Sequence, residues 1–268
     1  AVNIAIAQGK PLLLTGEPGT GKTQLAFSVA HWLKAGEPLV FNTRTTSVAN
    51  DLFYRYDSLK HFQYAQRKDS EELGDDGVEE KFIRYEALGK AIKSQERKVV
   101  LIDEVDKAPR DLPNDILNVL EEMAFEVAEV NKRYKSEEQY RPVIILTSNS
   151  EKNLPDAFLR RCIFHHIQFP TQEELLEILK EKRTKPYYSH EQLEKLLIPH
   201  FMQIRKKVKR KKPSTSELLY WVHLLEQLEF PAEKLEQGAT LSPHEQEQLD
   251  GTYGVLIKVA EDMKALGR

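Results

Sequence analysis

The stretch Gly16-Glu17-Pro18-Gly19-Thr20-Gly21-Lys22-Thr23 constrains the fold of this chain more than any other. Its glycines permit a tight loop whose backbone N–H groups turn inward, and its Lys-Thr ending supplies an ammonium and a hydroxyl where a helix begins. The pattern G-x-x-x-x-G-K-[ST] cradles a nucleotide's phosphates when it lies between a buried strand and a helix N-terminus. Both flanks are present. Leu12-Leu13-Leu14 is an apolar run inside a strand predicted at Pro11–Thr15, and Thr23–Leu33 has the spacing of an amphipathic helix. The candidate nucleotide-binding residues are Gly16, Glu17, Pro18, Gly19, Thr20, Gly21, Lys22, Thr23 and the following Gln24. An ordinary glycine turn would leave the Lys-Thr pair unexplained.

Nucleotide hydrolysis also needs an acid for a metal ion and a group that positions the attacking water. Val99-Val100-Leu101-Ile102-Asp103-Glu104 offers both, because four apolar residues bury a strand and deliver two carboxylates at its carboxyl end. Asp103 and Thr23 are the candidate Mg²⁺ ligands, and Glu104 is the candidate for activating water. Ligands of parallel sheets bind beyond the carboxyl ends of the strands, so Lys22, Asp103 and the polar end of Thr147-Ser148-Asn149 are expected to converge. Asn149 would then orient water; its alternative reading is a plain strand-ending asparagine. Arg160 and Arg161, paired before a strand, read equally well as surface salt-bridge formers.

The first 150 residues alternate short apolar runs with helical patterns, which implies an α/β fold with a parallel sheet. Strands are predicted at Pro11–Thr15, Leu39–Asn42, Lys98–Asp103, Val143–Thr147 and Phe164–Phe169. Two interruptions read as insertions. Asp57–Phe82 is polar, with Gly74-Asp75-Asp76-Gly77 as a turn, and its part from Lys68 to Glu79 is expected to lie outside the core. Glu126–Arg141 reads as a hairpin. After Pro170 the pattern turns helical, with a Thr171/Glu174 capping box, a helix from Ser216 to Leu228 and another over Tyr253–Leu266. The expected division is a nucleotide-binding core over 1–170 and a helical domain over 171–268.

A formal net charge of -3 in 268 residues argues against wholesale nucleic-acid binding. The local run from Arg205 to Lys212 has no interleaved aromatics and reads as a solvated face before it reads as a nucleic-acid contact. Cys162 has no partner for an internal disulfide and no apolar run reaches a membrane span, so a reducing, cytoplasmic setting is the expectation. His165 and His166 alternate faces of a predicted strand and read as structural, not as metal ligands.

Taken together, GEPGTGKT, VVLIDEVDKAP, ILTSN and DAFLRRCIFHHIQFP resemble an AAA+ ATPase, most closely the MoxR-like branch. The resemblance covers Ala1 to about Leu228 and is most specific in the first domain. It implies a P-loop sheet of strand order 5-1-4-3-2, a helical lid, ATP and Mg²⁺ as cofactors, and nucleotide sites at the interfaces of a ring, usually a hexamer. By resemblance Asn149 matches sensor 1 and Arg161 the arginine finger, with Arg160 as the alternative finger. By resemblance the two interruptions fall where that branch carries its insertions and are candidates for contacting a client protein near the ring's centre, with solvated surface loops as the alternative. One departure is the sensor 2 position near Ser216, where Lys211-Lys212-Pro213-Ser214-Thr215-Ser216-Glu217 has no arginine; either Lys212 substitutes or the lid couples weakly. The implied function is ATP-driven remodelling of a protein or assembly of a partner complex. The rivals are a nucleotide-gated assembly scaffold with little turnover and a nucleic-acid-stimulated motor.

Overall fold

The computed structural model describes residues 1–67, 73–109, 111–149, 154–182, 187–236 and 238–265. They form two compact units, Ala1–Gly16 with Gly21–Ile167, and Glu17–Thr20 with Gln168–Arg268. The first unit begins α1 (Val2–Gln8), β1 (Leu12–Gly16), α2 (Lys22–Trp32), β2 (Leu39–Asn42), β3 (Tyr54–Tyr56), α3 (Ser58–Ala65), α4 (Asp75–Phe82), β4 (Ile83–Tyr85) and α5 (Ala87–Lys93). It continues β5 (Val99–Asp103), α6 (Leu112–Asp115), α7 (Leu117–Glu122), β6 (Ala124–Val127), β7 (Lys132–Lys135), β8 (Val143–Ser148), α8 (Asp156–Arg161) and β9 (Ile163–Ile167).

Five strands make one parallel sheet in the order β2-β5-β8-β1-β9. Numbered among the five expected strands and read from the other edge, this is 5-1-4-3-2. The strand ends depart from expectation by no more than two residues. Alternation along each strand sorts the side chains into two cores. Leu12, Leu14, Val99, Leu101, Val143 and Ile145 pack with Ala26, Val29 and Ala30 of α2, while Leu13, Val100, Ile102, Ile144 and Leu146 face Phe41, Leu88 and Ile92. Burial on both faces is why these strands read as unbroken apolar runs.

Residues 68–72 of the first expected insertion lie outside the described residues, but its remainder corrects the reading of that segment. Gly74-Asp75-Asp76-Gly77 is the start of α4, with Gly74 as N-cap. Two acids in a first turn suit the helix dipole, so this composition serves a helix start as well as a turn. Nor does the segment stand outside the core, since Val78 and Phe82 are buried. The hairpin β6–β7 pairs Ala124 with Lys135 and Val127 with Lys132, starting two residues before the expected interruption.

Glu79 joins these two excursions. Its carboxylate accepts hydrogen bonds from Lys93 (2.5 Å) and Tyr85 (2.5 Å), and from Lys132 (2.6 Å) and Tyr134 (2.6 Å) of the hairpin. Lys93 also lies over the rings of Tyr85 and Tyr134. Burial opposes the charge on Glu79, yet these four donors outweigh it and hold the carboxyl far below its ordinary range.

The second unit is helical: α9 (Gln172–Lys182), α10 (His190–Gln192) leading through a π-turn into α11 (Ile198–Lys207), then α12 (Thr215–Gln227), α13 (Pro243–Leu256) and α14 (Ala260–Ala265). Its core gathers Leu175, Leu179, Phe201, Trp221 and Leu225. The Thr171/Glu174 box forms reciprocally, at 2.8 and 3.3 Å. Two helix starts differ from expectation. The cap of α12 is Ser214, whose hydroxyl and Glu217 satisfy each other's backbone N–H groups, two residues before Ser216. Tyr253 lies in the last turn of α13, not at a helix start; Ser242 and Glu245 cap that helix with Pro243 at its first position. Leu266, the expected end of the last helix, lies outside the described residues. No helix among the described residues is long and apolar enough to cross a membrane.

Replacing Glu79 by Gln leaves two lysines facing a neutral amide, and charged hydrogen bonds contribute ~1.5–3 kcal/mol each at most. Urea denaturation at pH 7 is expected to show a loss of about 2 kcal/mol for Glu79→Gln, with little change for the exposed neighbour Glu80→Gln. Because the folded pKa of Glu79 is depressed, its contribution is full above the unfolded carboxyl value of ~4.3 and fades as pH falls toward the folded value. The stability gap between wild type and Glu79→Gln is therefore expected to narrow below about pH 4.

Candidate functional site

The loop after β1 turns on glycines with positive φ, Gly19 at +78° and Gly21 at +86°, and Gly21 caps α2. Lys22 opens that helix. Only 8% exposed, it donates from Nζ to the Gly16 carbonyl at 2.8 Å. Burial lowers its pKa, and Asp103, Asp106 and Glu104 pull in the opposite direction. The Lys22 side chain thus faces the acidic group formed by Asp103, Glu104 and Asp106.

Parallel register brings the carboxyl ends of β1, β5 and β8 side by side. Thr23 Oγ1 donates to Asp103 Oδ1 at 3.4 Å. The Thr147 hydroxyl donates to the same Oδ1 at 2.5 Å and accepts the Glu104 N–H at 2.8 Å. Glu104 has φ +55°, a strained value for a side chain with a Cβ, which turns the chain off β5. Its Oε1 accepts from Asn149 Nδ2 at 3.2 Å, and the Asn149 N–H donates to Asp106 Oδ1 at 3.2 Å. Lys22, Thr23, Asp103, Glu104 and Asn149 are therefore brought together at one end of the sheet. Thr23 and Asp103 supply only oxygen donors, a hydroxyl and a carboxylate, which suits a hard cation such as Mg²⁺ that keeps waters and phosphate oxygens as its other ligands.

Asp106 escaped the sequence reading, although it stands three residues after Asp103. Its signal was the acid-rich Asp103-Glu104-Val105-Asp106 following a buried strand. Thr147 was read only as part of a polar strand end; its bridging of both acids needs the register of β8 on β5.

Arg161 is elsewhere. It ends α8, two residues before Ile163, which pairs with Leu12 at the amino end of β1. At ~3.3 Å per residue, β1 separates that end from Gly16 by more than 10 Å. There Arg161 Nε pairs with Glu121 Oε1 of α7 at 2.6 Å. A cavity of about 310 Å³ opens beside the pair, lined by Lys10, Leu117, Arg141, Arg160 and Arg161. Arg161 thus stands at the opposite end of the sheet from the acids of its own chain. His166 bonds the Thr15 hydroxyl at 2.9 Å, and no cluster of metal-binding side chains occurs among the described residues.

Within the second unit, the basic run needs one correction. Arg205 is buried, stacked on the Phe169 ring at 3.5 Å, and it donates to the Pro213 carbonyl and the Glu17 carboxylate. It is not part of a solvated face. Lys206, Lys207 and Lys209–Lys212 are exposed, and the backbone N–H groups of Lys209, Arg210 and Lys211 converge on the Asp262 carboxylate.

The family model described as AAA domain (dynein-related subfamily) matches residues 11–162. The fold is similar to the crystal structure of the FIGL-1 AAA domain in complex with ADP, with a TM-score of 0.51 and 15% identity over 97% of this chain and 76% of that one. No curated protein matches the sequence.

The two loop glycines are expected to differ when substituted. At Gly21 an added Cβ meets nothing within 4 Å, so Gly21→Ala carries backbone strain alone, about 1–2 kcal/mol. At Gly19 the Cβ would come within 2.9 Å of Ser214 Cβ, adding a clash to similar strain. Thermal melts should rank Gly19→Ala below Gly21→Ala, and equal melting temperatures would count against this packing of the loop.

Proposed function

Because the chain belongs to the AAA domain family, dynein-related subfamily, we propose that it is an ATP-hydrolysing motor of the MoxR-like type. In this reading it works as a ring, usually of six copies, and couples turnover to remodelling a client protein or assembling a partner complex. The proposed division is an ATPase core over 1–170 with a helical lid after it. One observation carries the hydrolytic reading: Glu104, an intact carboxylate, sits beside Asn149 at the strand end that also holds Lys22, Thr23 and Asp103.

The roles follow from these positions. The loop N–H groups and the Lys22 ammonium bind the phosphates of ATP, whose likeness in the related fold is the ADP bound by the FIGL-1 AAA domain. Thr23 and Asp103 would hold Mg²⁺, which supplies charge neutralisation between the β- and γ-phosphates. Glu104 accepts a proton from water as its oxygen attacks the γ-phosphorus; the bond to the β–γ bridging oxygen breaks and its electron pair leaves with ADP, giving ADP and phosphate. Asn149 orients the Glu104 carboxylate. Arg161 cannot serve its own chain's nucleotide from the far end of β1, which supports action on a neighbour's, with Arg160 as the alternative. That neighbour would draw Arg161 away from Glu121.

Of the cations in the basic run, only Arg205 is withdrawn into packing, while Lys206, Lys207 and Lys209–Lys212 stay exposed, so the rival nucleic-acid motor loses one of its cations and keeps the rest.

Lys22→Ala is expected to abolish ATP binding, whereas Glu104→Gln should bind ATP and lose turnover by two or more orders of magnitude, on the scale of ~10²–10⁴ for general-base catalysis. Arg161→Ala should bind ATP and turn it over ~10³-fold more slowly. Mixing Glu104→Gln with Arg161→Ala rebuilds interfaces with both groups intact, so phosphate release should reappear. If subunits exchange and the mixture stays inactive, the trans role of Arg161 is wrong.

A further inference from the structure

The carboxylate assigned to water activation is already engaged on both oxygens. Asn149 donates to Oε1 at 3.2 Å, and the Lys107 ammonium donates to Oε2 at 2.5 Å. The second contact is local. Glu104 turns off β5 at φ +55°, the 3₁₀ turn Val105–Lys107 follows, and position i+3 returns over the Glu104 side chain. The two donors differ in kind. Asn149 is neutral and fixed by the neighbouring strand β8, whereas Lys107 is charged, mobile on a four-carbon stem and about half exposed, at 52%. Glu104 is its one side-chain partner among the described residues, and that contact raises the lysine's pKa.

We propose that Lys107 is a brake on Glu104: its ammonium occupies Oε2 and must withdraw before that oxygen can accept a proton from water. The inference rests on the ATPase reading above. A carboxylate working as a base needs a lone pair aimed at the water and a fixed orientation. Asn149 supplies the orientation without adding charge, which leaves Oε2 as the working oxygen. A cation on Oε2 takes one of that oxygen's lone pairs and holds the carboxylate in its resting orientation. The hold is weak enough to be reversible, since exposed ion pairs contribute little in water. Lys107 is thus a positioning residue that holds Glu104 back from the water for part of each catalytic cycle.

The test is steady-state turnover of Mg²⁺-ATP by the full chain, with kcat and KM separated, for Lys107→Met and Lys107→Arg in wild-type and Glu104→Gln backgrounds. Lys107→Met is expected to raise kcat about two- to fivefold with KM unchanged, the range set by an exposed ion pair. Lys107→Arg, which keeps the cation, should stay near wild type. In the Glu104→Gln background the same Lys107→Met change should not alter the residual rate, because the contact it removes no longer involves a carboxylate. An unchanged or lowered kcat, a kcat change matched by KM, or an equal gain without Glu104 would overturn the brake. Loss through misfolding is read out by thermal melts, and Lys107→Gln serves as the second neutral variant, held to the same expectation. Wild-type turnover with no gain in either neutral variant overturns the brake alone; bound ATP with no turnover in any variant overturns the ATPase reading with it.

Discussion

A single hydroxyl organises the acidic end of the sheet in the first unit. Thr147 donates to Asp103 and accepts from the backbone N–H of Glu104, so one β8 side chain fixes both acids at the end of β5. It can do so only because β8 lies between β1 and β5 with Ile102 opposite Leu146. A one-residue slip would turn Thr147 to the other face and strand two carboxylates beside a buried lysine. The apolar runs that lock this register, Val99–Ile102 and Val143–Leu146, are therefore as necessary to the site as its polar residues. Two adjacent acids of like charge are tolerated there because Lys22 lies within their field and Lys107 pairs with Glu104.

Much of this was legible in the sequence, for a physical reason. Strands buried on both faces must be apolar at every position, and polar residues at their carboxyl ends then stand out as functional. Leu12–Leu14 and Val99–Ile102 are such runs, and the residues after them lie where the loop and acids were expected. Helix starts were readable where a hydroxyl stands three residues before a glutamate, as at Thr171, but Ser214 and Ser216 both fit nearby patterns. Only the first has Glu217 at the correct spacing to return the hydrogen bond.

What composition concealed was the burial of charge. Arg205 was hidden inside a basic run, yet Phe201, Ile204, Arg205 and Val208 recur at helical spacing and all are buried. The period places Arg205 on the packed face, and its guanidinium is accommodated by an aromatic face, a carbonyl and a carboxylate. Glu79 left no comparable trace. Its partners Lys132 and Tyr134 lie more than fifty positions away, and nothing local marks a carboxylate that will meet four donors. Val78 and Phe82 in the core and Glu79 on the hairpin tie α4 to the rest of the unit, so this part of Asp57–Phe82 cannot be treated as a detachable loop.

The sheet also separates two chemistries along its length. Its carboxyl end gathers acids around the buried Lys22, and its amino end gathers Arg141, Arg160, Arg161 and Lys10 beside Glu121. A lone subunit satisfies each end internally, through Lys107 on Glu104 and Glu121 on Arg161. Both contacts are exposed ion pairs of small net worth, and both engage the group that the proposed reaction would require. A fold that keeps Glu104 and Arg161 at opposite ends of the sheet cannot bring the two together within one chain. In the proposed ring, hydrolysis would require a second copy to present its arginine end to the first copy's acid end, so nucleotide turnover and assembly would be one event.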